Sequence, residues 1–97
     1  MHIEKKLDGS VLTLAVSGSL DTNTSPELEA EVKTDGVKEL IFDFAGLEYI
    51  SSAGLRVLLG AKKTMMPCGG RVRVLNPNTI VKDVFDTTGL SEIFEIA

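Results

Sequence analysis

Two adjacent hydroxyls, Ser51 and Ser52, stand where an apolar run gives way to a helical pattern, and no other residues in the chain are better placed for chemistry. Ahead of them, Leu40-Ile41-Phe42-Asp43-Phe44 is too short for a helix and too apolar for a half-exposed strand, which predicts a buried strand in the middle of a sheet. Behind them, Leu55, Leu58 and Leu59, with Met66 further on, recur at helical spacing, while Arg56, Gly60 and Lys63 fall on another face. The serines therefore sit at a helix N-terminus beginning near Ser52. Free amides and the partial positive charge there favour a bound phosphate by about 0.3–1 kcal/mol. Two readings follow: a serine that caps the helix by accepting a backbone N–H, or a phosphoacceptor. Phosphorylation would add about −1.5 to −2 charge units to a neutral patch and so change which partners it binds. Nucleophilic catalysis does not fit, because the only histidine is His2 and the SSAG sequence lacks a Gly-x-Ser-x-Gly turn.

The rest of the chain must position that junction. Ninety-seven residues, with 43% hydrophobic and 25% charged, read as a single folded domain over 1–97. The lone Cys68 and lone His2 leave no disulfide and no metal cluster, so neither metal nor cofactor is expected. Without a leader pattern or a membrane-length apolar run, the expected location is the cytoplasm. A net charge of −4 with scattered Lys and Arg points to a protein partner rather than nucleic acid.

In chain order, His2 to Leu7, the Asp8-Gly9 turn and Val11 to Ser17 predict an antiparallel hairpin. Thr24 or Ser25 can cap a first helix, with Pro26 early, Glu27 completing a capping box with Thr24, Leu28 and Val32 on its apolar face, and Asp35-Gly36 ending it. Gly54 is expected to admit neighbouring backbone closely. The serine helix should stop near Met65, ahead of Pro67 and Gly69-Gly70. Arg71 to Leu75 predicts a strand, and Asn76-Pro77-Asn78 a turn with a ready cap. A last helix follows, with Ile80, Val81, Val84 and Phe85 on one face and Gly89 at its end. Ile93 to Ile96 offers a final strand. Strands alternating with helices imply parallel pairing, hence an α/β fold: a small mixed sheet with helices packed against it.

Several separated motifs together resemble the bacterial anti-sigma factor antagonists built on the STAS domain. Gly18, Leu20, Asp21, Thr24 and Leu28 match that family's approach to its first helix. Asp43, Tyr49, Ile50, Ser52, Gly54 and Leu55 match its central strand and serine turn, and Val84 to Leu90, VFDTTGL, its third helix and glycine stop. The sequence departs from the family at Ser51, where aspartate is frequent, and at Ala53, where a hydroxyl residue is usual.

The resemblance implies a STAS-like fold and no enzymatic activity. It implies a phosphorylated serine at Ser52, with Ser51 as the alternative, and two partners: an anti-sigma factor that is also a serine kinase, and a serine phosphatase. Dephosphorylated, such a protein binds the anti-sigma factor and frees a sigma factor for transcription. The surface expected to meet the partner comprises Asp21, Thr24, Asp43, Ser51, Ser52, Gly54 and Arg56. For Asp21 and Asp43, bonds to nearby backbone are an equal explanation, and for Arg56, simple solvation. A constitutive scaffold module in a stress-sensing or lipid-transport complex, with Ser52 as a cap only, is the alternative. Nucleotide binding ranks behind both, for want of a Gly-rich phosphate loop.

Overall fold

Along the central strands the side chains alternate between fully buried and partly exposed, so one face of the sheet carries the core and the other is left without a covering layer. The computed structural model describes residues 1–97. A hairpin of β1 (His2–Asp8) and β2 (Val11–Leu20) leads to α1 (Ser25–Glu31), β3 (Glu39–Ile50), α2 (Ser52–Met65), β4 (Arg71–Leu75), α3 (Thr79–Thr88) and β5 (Glu95–Ile96). The strands lie in the order β1-β2-β3-β4-β5; β1 is antiparallel to β2 and the remaining pairs are parallel. β3 is thus central, as its apolar run predicts. No helix is long and apolar enough to cross a membrane.

Leu12, Leu14 and Val16 of β2, Leu40, Phe42 and Phe44 of β3, and Val72 and Val74 of β4 point to the helical side. There they join Leu28 of α1, Leu55, Leu58 and Met65 of α2, and Val81 and Phe85 of α3 in one core. Each such side chain contributes roughly 1.5–3 kcal/mol by leaving water. The other face presents Thr13, Ala15, Ile41, Asp43, Arg71 and Arg73, all at least partly exposed. It is laced by ion pairs of Arg71 with Glu95 (2.7 Å) and Arg73 with Glu39 (3.3 Å).

Several expectations need correction. The run from Leu40 to Phe44 is buried on one face only, because all three helices pack on the same side and leave Ile41 and Asp43 partly exposed. β2 runs on to Leu20 and β3 to Ile50, past their apolar stretches. Parallel pairing continues through irregularities at Ala15/Ser17 and Gly18/Ser19, where Ser17 lies against Gly46 and Gly18 against Leu47. α1 ends at Glu31 rather than at Asp35-Gly36. Its capping box is absent, because the Thr24 hydroxyl is engaged with Ser19 and Asp21 instead. Met66 and Ile80 are exposed: Met65 fills the core while Met66 begins a short 3-10 turn, and Val81 and Phe85 carry the buried face of α3. The last strand shrinks to Glu95–Ile96.

Candidate functional site

Parallel pairing of Leu20 with Ile50 brings the carboxyl ends of β2 and β3 side by side, so Asp21 and Ser51 are neighbours although thirty positions separate them in the chain. The Ser51 amide donates to the Leu20 carbonyl (2.9 Å), and Ser51 alone joins β3 to α2. Two turns thus meet at the same end of the sheet, where parallel strands customarily present their functional loops.

On the Asp21 side, the carboxylate Oδ1 accepts from the Asn23 (2.9 Å) and Thr24 (3.1 Å) amides. These bonds, the Thr24 amide foremost, hold the Asp21 pKa below the usual carboxylate range. The Thr24 hydroxyl donates to the Ser19 carbonyl (2.8 Å) and accepts from the Asp21 amide (2.9 Å). Buried Ser25 donates through its hydroxyl to the Asp21 carbonyl (2.5 Å). The turn is tied to itself and to the end of β2.

On the serine side, Ser51 occupies the N-cap position of α2 with extended backbone (φ −99, ψ 176), yet its side chain makes no capping bond. Its Oγ is buried and without a partner. The cap expected of Ser52 is therefore absent: Ser52 is already the first helical residue, the cap position falls to Ser51, and the Ser51 hydroxyl is buried without a bond. Ser52, the first residue of α2, is exposed. Within the chain the Ser52, Ala53 and Gly54 amides have no acceptor, and the helical ladder begins with Leu55 N–H to the Ser51 carbonyl (3.0 Å). Unpaired amides at a helix start make a seat for negative charge.

Gly54 is buried beneath this seat. A β-carbon there would stand 2.7 Å from Leu20 Cγ and 2.9 Å from Ile50 Cγ1, so the glycine admits two side chains rather than the backbone that its sequence context suggests. Arg56, one turn beyond Ser52, is exposed and has no ion-pair partner among the salt bridges of the molecule. Ser52 and Arg56 border a groove of about 330 Å³ with Leu55, Leu59, Thr88 and Leu90. Leu59 follows Ser52 on the same helix, whereas Thr88 and Leu90, at the end of α3 and in the turn after it, reach Ser52 only because α3 packs against the sheet, a proximity that no local pattern signals. Asp43 lies elsewhere. It pairs with Ala15 far down the strands, on the face without helices, and its Oδ1 accepts from the Ala45 amide (3.1 Å) and Asn76 Nδ2 (3.2 Å). Asp21, Thr24, Ser51 and Ser52 are thus brought together, Arg56 extends the group along α2, and Asp43 stays apart. The molecule has no group of three or more His, Cys, Asp or Glu side chains arranged to hold a metal ion.

A five-stranded mixed sheet with its helices on one side and a serine-headed helix after the central strand is the STAS arrangement. The chain belongs to the STAS domain family, which it matches over residues 2–97. It is 33% identical over 95 residues to BtrV of Bordetella bronchiseptica, assigned as a candidate anti-sigma factor antagonist; the match covers 95% of this chain and 81% of that one. It is 28% identical to the anti-sigma F factor antagonist of Paenibacillus polymyxa, covering 99% of this chain and 86% of that protein. The fold superposes on the anti-sigma factor antagonist SpoIIAA in its unphosphorylated form with a TM-score of 0.87. That likeness spans 99% of this chain and 88% of the other at 24% identity.

Proposed function

We propose that this chain is a cytoplasmic anti-sigma factor antagonist, without catalytic activity of its own, switched by phosphorylation of Ser52. Its partner is an anti-sigma factor that is also a serine kinase and supplies ATP. The Ser52 hydroxyl attacks the γ-phosphorus, a P–O bond to Ser52 forms as the bond to ADP breaks, and the hydroxyl proton passes to a base of the kinase. A serine phosphatase reverses the step by adding water, which releases inorganic phosphate and restores the hydroxyl.

The observation that carries this reading is the contrast between two adjacent hydroxyls. Ser52 is exposed above three unengaged amides, whereas the Ser51 oxygen is buried. A kinase can reach the first without disturbing the fold, and the helix start tolerates the charge it gains. Gly54 and Ser51 serve the surface by positioning it, and Arg56 with the Asp21–Thr24 turn borders it. The unphosphorylated surface is neutral at Ser52 and admits the anti-sigma factor; the phosphate repels it through charge and desolvation.

The test is a binding titration against the cognate anti-sigma factor kinase, with intact-mass analysis after incubation with ATP. Ser52→Ala is expected to bind and to gain no phosphate, and Ser52→Asp to bind at least tenfold more weakly. Equal binding by the two variants, with no phosphate on wild type, would assign the chain to constitutive scaffolding instead. Phosphate found on Ser51 would move the acceptor by one residue.

A further inference from the structure

We propose that β1 is a self-complementary edge through which two copies of this chain pair, joining two five-stranded sheets into one continuous sheet across a two-fold axis. The outer side of β1 has no strand beside it, and the strand carries no proline. Its pairing with β2 runs unbroken from His2 to Asp8, without a bulge. Natural sheets usually blunt an edge of this length with proline, a bulge or charge; this one has neither proline nor bulge, and its charges, Glu4, Lys5, Lys6 and Asp8, are of mixed sign. The opposite edge, β5, has only two residues.

The sequence of the edge specifies its occupant. In a symmetric antiparallel pair the two-fold axis stands perpendicular to the sheet, so opposed residues share a face and their numbers sum to an even value. Three such registers oppose at least five residues. Centred on Glu4, the strand sets Glu4 against Glu4 and Lys6 against His2. Centred on Lys6, it sets Lys6 against Lys6 and Glu4 against Asp8. Centred on Lys5, all seven residues are opposed, and they match: Glu4 meets Lys6, His2 meets Asp8 and Ile3 meets Leu7, each twice.

The faces agree with this register. Ile3, Lys5 and Leu7 lie on the helical side, opposite Val16, Leu14 and Leu12 of β2, while His2, Glu4, Lys6 and Asp8 lie on the uncovered side. Leu7 is 62% exposed, an apolar side chain that the partner's Ile3 would cover. Lys6 and Asp8 have no ionic partner within the chain. The one like-charged meeting, Lys5 with the partner's Lys5, is offset because each Lys5 lies 4.0 Å from Glu31 of its own α1. The backbone agrees as well. The two-residue loop between Asp8 and Val11 makes these a hydrogen-bonded pair, so the alternate residues Ile3, Lys5 and Leu7 turn their N–H and C=O groups to the open edge.

The experiment is sedimentation velocity of the full chain from micromolar to millimolar concentration, on wild type, Glu4→Lys, Lys6→Glu and the double variant. Wild type is expected to show concentration-dependent dimer. Each single substitution turns two attractive Glu4–Lys6 pairs into repulsive ones and should weaken dimerisation about tenfold. The double variant exchanges the charges and should recover it. An equimolar mixture of the two single variants should form a heterodimer, because one presents two lysines where the other presents two glutamates. Circular dichroism of each variant confirms that the fold is kept. Wild type that stays monomeric at every concentration overturns the proposal, and so does a dimer indifferent to the single substitutions.

Discussion

Gly54 has no room for a side chain, and the molecule should register this sharply. Gly54→Ala sets a methyl against Leu20 and Ile50 and is expected to cost about 1–3 kcal/mol, read from the urea midpoint. Combined with Leu20→Ala, the loss should fall short of the sum, since the second change clears space for the first. Asp21 makes a different prediction. Its pKa is lowered in the fold, so its contribution to stability is complete above the ordinary carboxylate range and disappears as pH falls through the folded-state value. Asp21→Asn should therefore narrow its gap to wild type as urea midpoints are taken from neutral pH down into the acid range. The Asp21–Thr24 turn and Ser52 were legible in the sequence because short-range spacing sets them. The inward Ser51 oxygen, the isolation of Asp43 and the groove beside Ser52 were not, because each depends on side chains that only the assembled sheet brings near.

Among the elements, α2 and α3 start in contrasting ways. Asn78 accepts the Val81 amide (2.8 Å) and donates through Nδ2 to the Leu47 carbonyl (3.1 Å), so it caps α3 and fastens it to β3. Asn78→Ala should cost about 0.5–2 kcal/mol in thermal or urea unfolding. Ser51→Ala should cost almost nothing or stabilise, because the hydroxyl it removes is buried without a bond. A large loss at Ser51 would mean that the oxygen does cap. The bounds of α2 could be read from the change to helical spacing after Ser52 and from Pro67, since periodicity and breaker chemistry are local. The far half of β3 could not: Ala45, Gly46 and Glu48 have no strand preference of their own, and the segment is held as strand by the pairing of Gly46, Leu47, Tyr49 and Ile50 with β2.

For the molecule as a whole, the order of the strands sets where stability resides. Amide exchange should be slowest in β3 and its neighbours β2 and β4, which pair on both sides, and fastest in two-residue β5. Exchange in β5 as slow as in β3 would contradict this order. Because the Arg71–Glu95 bridge is exposed, Glu95→Gln should leave the unfolding midpoint nearly unchanged. Parallel pairing was legible in the alternation of strands and helices, since a crossover helix leaves few other solutions. The uncovered face was not, because Ile41 beside Phe42 reads as a strand buried on both sides.

The single residue between β3 and α2 also fixes the arithmetic of the chain. One residue inserted after Ile50 would turn α2 by about 100°, carrying Leu55 and Leu58 off the core and Ser52 away from the Asp21 turn. One removed would do the same in the other sense. The loop from Val32 to Lys38, by contrast, can lengthen at small cost, since entropy of closure grows slowly with length. Change in this protein's length is free to accumulate there, while the spacing from the end of β3 to Ser52 cannot vary without losing both fold and site.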